Sequence, residues 1–380
     1  MSLQRRPSRF GLIVGGAGAG KTTVLKAVLA ATEHFWRAVH LMALASRAAV
    51  RMTEATGRKA STIAAFLKAA EAHQTSVGPE ALVVVDERSM LDLPTLYRIL
   101  RAMPPSGRLL LVGDTGQLPP IGFGLTLHSL VQVGAVPKIE LRTIRRQTAA
   151  SGIPVVAAAV RDGKPSDLSA FNPEVRGVAL IECRPEDAAE QVVDVVADLG
   201  GIAAVQILSP LKAGPSGTIA MNAHFHQIMS AGRPSGGLGR FVAGEPGVFL
   251  RNDYRRDLRN GSLGTVRAVE ADSSIISTFD GFELRLSGRD LEDLDHAYAI
   301  TVYKAQGSGF GTVMVPIVGA KLIDRSLIYT AITRAIDRVV LVSSTDVLRS
   351  AVKKSPFFAH REVGLTDALD VSLSREQRHL

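Results

Sequence analysis

The feature that most constrains this chain is the segment Gly15–Thr22, which reads GGAGAGKT and matches the pattern G-x-x-x-x-G-K-[ST]. The apolar run Phe10–Val14 before it predicts a buried strand, and Thr22–Ala31 after it predicts a helix, the context this pattern requires. Glycines let backbone N–H groups surround an anion, and the helix N-terminus adds positive charge. A chance turn rich in glycine and alanine is the alternative. The flanking elements instead favour a phosphate-binding loop, and therefore a nucleoside triphosphate.

The loop residues have separate roles in this interpretation. Lys21 would reach the outer phosphates, and the Thr22 hydroxyl would be a ligand of Mg²⁺. The residues predicted to bind the nucleotide here are Gly15, Gly16, Gly18, Gly20, Lys21, Thr22 and Thr23.

Length and composition describe an ordinary globular protein. The chain has 380 residues, enough for two or three domains, with 46% hydrophobic and 21% charged residues. One cysteine, Cys183, excludes internal disulfides and cysteine-cluster metal sites. No apolar run approaches the length of a membrane span, so we expect a cytoplasmic protein with no membrane partner. The net charge of +8 favours nucleic acid as a partner, although many soluble proteins are basic for other reasons.

Apolar and amphipathic segments alternate in the first third of the chain. The predicted strands there are Phe10–Val14, Val39–Leu44, Leu82–Val85 and Leu109–Val112. Alternation of this kind predicts an α/β fold, with parallel sheets covered by helices on both faces.

The pattern of apolar and polar residues changes between residues 249 and 291. Short alternating runs are separated there by Asn260-Gly261, Asp280-Gly281 and Ser287-Gly288, which are typical turn dipeptides. Turns at this spacing predict a small antiparallel β insert, after which the α/β pattern resumes.

Two acidic residues and one glutamine follow predicted strands. Asp86 is predicted to hold Mg²⁺, and Glu87 to polarise the attacking water. Gln117 lies just beyond the strand Leu109–Val112, where it could sense the γ-phosphate. An acid pair at a strand end is common by itself, and Gln117 by itself favours a proline-stiffened turn without a catalytic role. The phosphate loop favours the catalytic interpretation of the acids.

Six ordered segments carry a family resemblance: GGAGAGKTT, VVVDERSM, LLLVGDTGQLPPIGFG, IRRQ, TVYKAQGSGF and YTAITRA. Their order resembles superfamily 1 helicases of the RecD type, which include the exodeoxyribonuclease V alpha subunit, and the resemblance extends over roughly residues 10 to 367. It implies two RecA-like P-loop NTPase domains, at residues 1–136 and 137–380, with ATP and Mg²⁺ in the cleft between them. It also implies that the insert at 249–291 is an SH3-like subdomain of the second domain.

The resemblance implies further site residues. Arg146 of the IRRQ segment and Arg334 of the YTAITRA segment would act as arginine fingers, completing a catalytic set with Lys21, Glu87 and Gln117. Gly307 would contact the nucleotide. Single-stranded DNA would contact Arg47, Ser61, Thr62, Thr301, Lys304 and Gln306.

Four departures from the family pattern concern DNA handling and base recognition. Ala45 replaces a threonine, and both Ala64 and Tyr303 replace a usual histidine. The segment 71–80 is too short for the hairpin pin that splits duplex DNA. The family also carries a glutamine-containing helix upstream of the phosphate loop that recognises adenine, and Gln4 is the one candidate for that role here.

These features predict an ATP-dependent single-stranded DNA translocase or helicase, moving 5′ to 3′, whose strand-separating pin is lacking. The alternative is a weakly active or non-enzymatic subunit that acts in a recombination, repair or conjugation complex. A small-molecule kinase would leave the two arginines unexplained.

Overall fold

The structure, a computed structural model, describes residues 8–32, 38–75, 77–142, 152–236, 239–253, 255–256, 258, 260–279, 281–319, 321 and 323–378. The chain divides into two compact units, one made of residues 1–147 with 356–380 and the other of residues 148–355. The predicted domain boundary between residues 136 and 137 does not coincide with this division. The pairing of the last strand of the first sheet and the return of the C-terminal segment account for the difference.

A six-stranded parallel sheet forms the centre of the first unit. Its strands are β1 (Phe10–Gly15), β2 (Ala38–Ala43), β3 (Ala60–Thr62), β4 (Ala81–Asp86), β5 (Arg108–Gly113) and β6 (Lys138–Leu141). The spatial order is β3-β2-β4-β5-β1-β6, and every neighbouring pair is parallel. Because β6 pairs with β1, the first unit extends past the predicted boundary at residue 136.

Strand β4 shows why this sheet has helices on both faces. Val83 and Val85 belong to one apolar cluster, while Leu82 and Val84 belong to another. A parallel strand that is apolar at every position is buried on both sides. The helices that provide the cover are α1 (Lys21–Thr32), α2 (Ser46–Thr56), α3 (Ile63–Glu71), α4 (Leu93–Arg101) and α5 (Thr126–Gln132).

Two of these helices begin at side-chain caps. The Thr62 hydroxyl accepts a hydrogen bond from the backbone N–H of Ala65 at 3.1 Å, and the Asp92 carboxylate accepts one from Thr95 at 2.9 Å. Each cap contributes about 1 kcal/mol to stability. The caps fix where α3 and α4 start, and hence where β3 and the loop after β4 end.

The second unit contains a parallel sheet and an antiparallel sheet. Its strands are β7 (Ser169–Ala170), β8 (Gly177–Glu182), β9 (Gln206–Ser209), β10 (Pro246–Phe249), β11 (Leu263–Val269), β12 (Ile275–Phe279), β13 (Phe282–Leu286), β14 (Leu294–His296), β15 (Ala299–Thr301), β16 (Phe310–Pro316) and β17 (Ala335–Ser343). The parallel sheet has the order β15-β9-β16-β17-β8-β7. The helices of the second unit are α6 (Ile153–Arg161), α7 (Ala188–Asp198), α8 (Thr218–Ser230), α9 (Arg289–Glu292), α10 (Arg325–Ile332) and α11 (Thr345–Lys353).

The antiparallel sheet confirms the β insert predicted from turn dipeptides. Its order is β13-β12-β11-β10-β14, and the pairing of Phe279 with Phe282 leaves a two-residue connection. Gly281 in that connection has φ 89°, a left-handed conformation that glycine adopts without strain. The sheet extends beyond 249–291, because β10 and β14 pair with each other across the ends of the insert. Its SH3-like character stays a prediction.

The C-terminal segment returns to the first unit, where it ends in helix α12 (Leu365–Arg378). The Phe358 ring lies 4.4 Å from the His128 ring on α5, and Arg361 donates a hydrogen bond to the Pro120 carbonyl at 3.1 Å. These contacts explain why residues 356–380 do not belong to the second unit. Among the described residues, none of the helices is long and apolar enough to cross a membrane.

Candidate functional site

The predicted catalytic residues of the first unit meet at one edge of its sheet. Strands β4, β5 and β1 are adjacent and parallel, so their carboxyl ends point the same way. The phosphate loop follows β1, Asp86 ends β4, and Gln117 lies four residues beyond β5. Ligand sites of open α/β sheets form at this edge.

The loop after β1 has the geometry of an anion cradle. Lys21, the first residue of α1, donates hydrogen bonds from Nζ to the carbonyls of Gly15 at 2.7 Å and Gly16 at 3.0 Å. Gly18 and Gly20 have φ values of 74° and 86°, which side chains rarely tolerate. A Cβ atom on Gly15 would lie only 3.0 Å from the Cβ of Leu141, so the close pairing of β1 with β6 favours glycine here.

Asp86 is a carboxylate whose environment favours its neutral form. Burial, with a smaller contribution from the charge of Glu87, raises the pKa of Asp86 to about 6. Lys21 acts in the opposite direction, as does the backbone N–H of Glu87, which donates to Asp86 Oδ1 at 2.7 Å. A divalent cation would favour the ionised form, and Mg²⁺ prefers oxygen ligands such as this carboxylate and the Thr22 hydroxyl. The donor set therefore fits the predicted metal.

Asp86→Asn is expected to raise the melting temperature of the nucleotide-free protein at pH 8. The folded state holds the Asp86 proton more tightly than the unfolded chain does, so this group's contribution to stability is complete below about pH 4 and is lost as the pH rises through about 6. The difference from the ordinary pKa of 3.8 corresponds to at most about 3 kcal/mol. Asparagine carries no charge and can still accept the N–H of Glu87.

Thermal denaturation at pH 5 and pH 8 checks this expectation. The gain should be larger at pH 8, where the wild-type carboxylate is ionised. Asp92→Asn makes the same exchange at the cap of α4, where asparagine caps as well as aspartate. If Asp86→Asn lowers the melting temperature at both pH values, burial of the Asp86 charge does not cost stability.

Glu87 has an unusual backbone conformation. Its φ is 55°, and only two other non-glycine residues of the described chain, His73 and Ser273, have positive φ. A left-handed conformation at such a residue costs roughly 1–3 kcal/mol and is typical of functional sites. The turn directs the chain away from the sheet directly after Asp86, at the residue predicted to polarise water.

Gln117 is held by a residue that the sequence analysis did not assign. The Ser89 hydroxyl donates to Gln117 Oε1 at 3.4 Å, and both side chains are buried. The signal for Ser89 was the serine of the VVVDERSM segment. The loop that contains Gln117 is also supported from α5, because His128 Nε2 lies 2.9 Å from the Thr115 carbonyl. Burial lowers the pKa of His128.

The predicted DNA-contacting residues of the first unit lie at the same edge of the sheet. Ala43, the last residue of β2, pairs with both Thr62 and Asp86, which places the ends of β3 and β4 on either side of it. Thr62 is buried and its hydroxyl is used as the cap of α3, whereas Ser61 and Arg47 are partly exposed. Thr62 therefore has a structural role, and its contact with DNA stays a prediction.

In the second unit, the structure brings Arg334 to the segment 301–308. Arg334 is buried and follows α10, with Nη1 3.4 Å from the Ser308 carbonyl and Nη2 3.4 Å from the Thr333 hydroxyl. Its own carbonyl accepts a hydrogen bond from the backbone N–H of Phe310 at 2.9 Å. The predicted finger and the predicted nucleotide-contacting segment are thus neighbours. Arg146 lies outside the described residues.

The predicted DNA contacts at the end of β15 form one compact turn. The backbone N–H of Lys304 donates to the Thr301 hydroxyl at 3.3 Å, and Gly307 has φ 75°. Burial lowers the pKa of Lys304, while Asp295 acts against this effect. Gln306 is buried within the turn.

Comparisons with known proteins show which families this chain resembles. Residues 2–176 match the family described as an AAA domain, and residues 296–342 match the UvrD-like helicase C-terminal domain. The protein named ATP-dependent RecD2 DNA helicase from Deinococcus radiodurans is 37% identical over 357 residues, covering 91% of this chain and 48% of the relative. The chain is therefore similar over most of its length to RecD-type helicases, and the two family models support a superfamily 1 helicase core.

Another RecD-type relative is the RecBCD enzyme subunit RecD of Mycolicibacterium smegmatis, 29% identical over 415 residues, with 94% of this chain and 72% of the relative covered. The chain spans about half the length of the Deinococcus relative. Among solved structures, Bacteroides Pif1 bound to ssDNA has a TM-score of 0.54 at 17% identity, covering 98% of this chain and 95% of that one. At this identity the likeness concerns the fold.

Proposed function

We propose that this chain is a DNA-dependent ATPase that translocates on single-stranded DNA in the 5′ to 3′ direction. The observation that carries the proposal is the meeting of Lys21, Asp86 and Gln117 at one sheet edge of the first unit. The arrangement of Arg334 beside the segment 301–308 of the second unit supports it. The name of the Deinococcus relative, an ATP-dependent DNA helicase, agrees with this activity, and the direction rests on the family resemblance.

Different residues have different roles in ATP hydrolysis. The loop N–H groups and Lys21 bind the phosphates, and Asp86 with Thr22 would hold Mg²⁺, which neutralises phosphate charge when bound. Glu87 orients and deprotonates the attacking water. Gln117, positioned by Ser89, contacts the γ-phosphate, so its loop can respond when that phosphate leaves. Arg334 and Arg146 stabilise the charge that develops on the transferred phosphoryl group.

The DNA-binding part is reduced in this proposal. The described residues between α3 and β4, 72–75 and 77–80, form turns and contain no strand, which supports the absence of a hairpin pin. We infer that the motor moves along a single strand and separates a duplex poorly without help.

The second candidate is a weakly active subunit in a recombination, repair or conjugation complex. The short connection 72–80 and the use of Thr62 as a helix cap favour it, since both reduce what is available to grip DNA. The subunit name of the Mycolicibacterium relative belongs to a multi-subunit enzyme and supports the same idea.

Phosphate release by the purified chain, with and without a single-stranded oligonucleotide, tests the proposal. Lys21→Ala, purified in parallel, supplies the background from contaminating ATPases. We expect turnover to rise with DNA, and the first proposal fails if it does not. ATP binding without turnover would support the second candidate. Forked duplexes with a 5′ or a 3′ tail then measure direction, and efficient unwinding by the chain alone would contradict the inferred loss of the pin.

Lys304→Ala is expected to raise the DNA concentration that gives half-maximal ATPase stimulation. Loss of one phosphate contact reduces the slope of log K against log[salt] by about 0.7 for single strands. The matched control is Lys321→Ala, which removes an exposed lysine of the same unit. An unchanged salt slope for Lys304→Ala would show that Lys304 does not contact the DNA backbone.

A further inference from the structure

A buried carboxylate lies where the antiparallel sheet of the second unit meets its parallel part. The Glu245 side chain has 0% exposure and directly precedes β10. His226 on α8 and His296 at the end of β14 face it from two other elements. Three segments that are far apart in sequence therefore bring one acid and two imidazoles together.

The three side chains form a tight cluster. His226 Nδ1 lies 2.7 Å from Glu245 Oε1, and His296 Nε2 lies 3.4 Å from Glu245 Oε2. One potential ligand atom from each residue can be chosen so that all of them lie within 4.8 Å of one another. The two imidazole rings are 4.5 Å apart between centroids.

His296 contributes a buried nitrogen that makes no hydrogen bond with any residue that the structure describes. Its side chain is 12% exposed, and Nε2 lies near Glu245 without hydrogen-bond geometry. Phe241 packs against the same imidazole at 4.5 Å. A buried polar nitrogen without a partner costs free energy, and a metal ion would satisfy it.

Glu245 is oriented by groups outside the cluster. The Tyr298 hydroxyl donates to Oε1 at 2.7 Å, and the backbone N–H of Val242 donates to Oε2 at 2.7 Å. Burial would raise the pKa of Glu245, but its contacts with His296, His226, Val242 and Tyr298 lower it to about 2. The carboxylate is therefore ionised at neutral pH. Hydrogen-bonded carboxylates of this kind are usual among metal ligands.

We propose that His226, Glu245 and His296 bind one transition-metal ion of the Zn²⁺ class, which fastens the antiparallel sheet to α8. Two imidazole nitrogens and one carboxylate oxygen are a common Zn²⁺ donor set, whereas Mg²⁺ and Ca²⁺ prefer oxygen ligands. Bonds of about 2.0–2.1 Å in a tetrahedral site place the ligand atoms roughly 3.3 Å apart. The distance of 3.4 Å between His296 Nε2 and Glu245 Oε2 is already close to that spacing, and the 2.7 Å between His226 Nδ1 and Oε1 would lengthen on binding.

The remaining coordination position can be filled by water. His226 is 25% exposed, so solvent reaches the cluster from its side. Binding through Nδ1 replaces the hydrogen bond between His226 and Glu245, and the imidazole stays neutral with its proton on Nε2. The ion would join the insert to α8. Its ligand His296 lies three residues before the start of β15, the strand that ends at Thr301. None of the three residues is among those assigned to ATP or DNA, and the role of the ion is structural.

Metal titration of the full chain tests the proposal, with any affinity tag removed and the protein first treated with a chelator. We expect one Zn²⁺ per chain in equilibrium dialysis and visible absorption on binding Co²⁺. Thermal denaturation should show a higher melting temperature with Zn²⁺, because the ion binds the folded chain.

Single variants separate this site from other histidines and from Cys183. His226→Gln and His296→Gln are expected to abolish the one-to-one binding. His224→Gln, on the same helix but exposed, and Cys183→Ser should leave it intact. Tyr298→Phe keeps all three ligands and should weaken binding about 10- to 100-fold.

Two results would overturn the proposal. One is a folded wild-type chain that shows neither stoichiometric binding nor a change in melting temperature, in which case the cluster is a hydrogen-bonded joint. The other is unchanged affinity in His296→Gln. Neither measurement uses ATP or DNA, so failure here is distinguishable from failure of the proposed ATPase.

Discussion

Lys21→Ala is expected to lower kcat/KM for ATP by about a hundred- to a thousandfold, since one preorganised donor aimed at developing charge is worth about this much. The Lys21 ammonium lies at the start of α1, between the carbonyls of Gly15 and Gly16 and within electrostatic reach of Asp86. Removing it leaves the phosphates without their fixed counter-charge in both the bound state and the transition state. Both nucleotide affinity and turnover should therefore fall.

Phosphate release and the binding of a fluorescent ATP analogue measure the two effects separately. Lys26→Ala is the matched control, because Lys26 is exposed on the same helix. It should behave as the wild type. Near wild-type turnover in a folded Lys21→Ala protein would contradict the assignment of the loop as the nucleotide site.

The first sheet could be predicted from the sequence to the extent that its signals are local. The runs that became β1, β4 and β5 are continuous and apolar, and each is followed by a residue with distinctive chemistry. Helices α3 and α4 likewise begin at the capping residues Thr62 and Asp92, which are local signals. The two-residue hairpin between β12 and β13 follows directly from Asp280-Gly281.

What the sequence did not reveal depends on distant pairing. Strand β6 consists of four residues, three of them exposed, and is recognisable only by its pairing with β1. The return of Phe358 and Arg361 to the first unit joins segments more than 200 residues apart. The positive φ of Glu87 could not be predicted from its residue type, because glutamate normally avoids that conformation.

The candidate site shows the same division. Lys21, Asp86 and Gln117 were assigned from motifs, and the sheet order supplies the reason that they meet. Ser89 and Thr62 show what motifs leave out, since the first positions Gln117 and the second caps α3. The cluster around Glu245 gave no sequence signal because its two histidines are 70 residues apart and on different elements.

Arg334→Ala is the second large effect we expect, with turnover reduced about 10³-fold or more and ATP affinity close to that of the wild type. An arginine finger acts on charge that develops during phosphoryl transfer, so its loss changes kcat more than binding. Arg334 also lies 3.4 Å from the Ser308 carbonyl, beside the turn that contains Thr301 and Lys304. We therefore expect DNA to stimulate the variant less than it stimulates the wild type.

The fold of the variant needs its own measurement, because Arg334 is buried and also contacts Thr333. Arg334→Lys keeps the positive charge but loses the planar fork of donors, so it should keep the fold and still lose most of the turnover. Arg349→Ala removes an exposed ion pair with Asp167 in the same unit and serves as the control. Circular dichroism reports folding, and single-turnover hydrolysis separates chemistry from binding. If Arg334→Lys and Arg334→Ala both fold and hydrolyse ATP at the wild-type rate, Arg334 supports the 301–308 segment and does not act on the nucleotide.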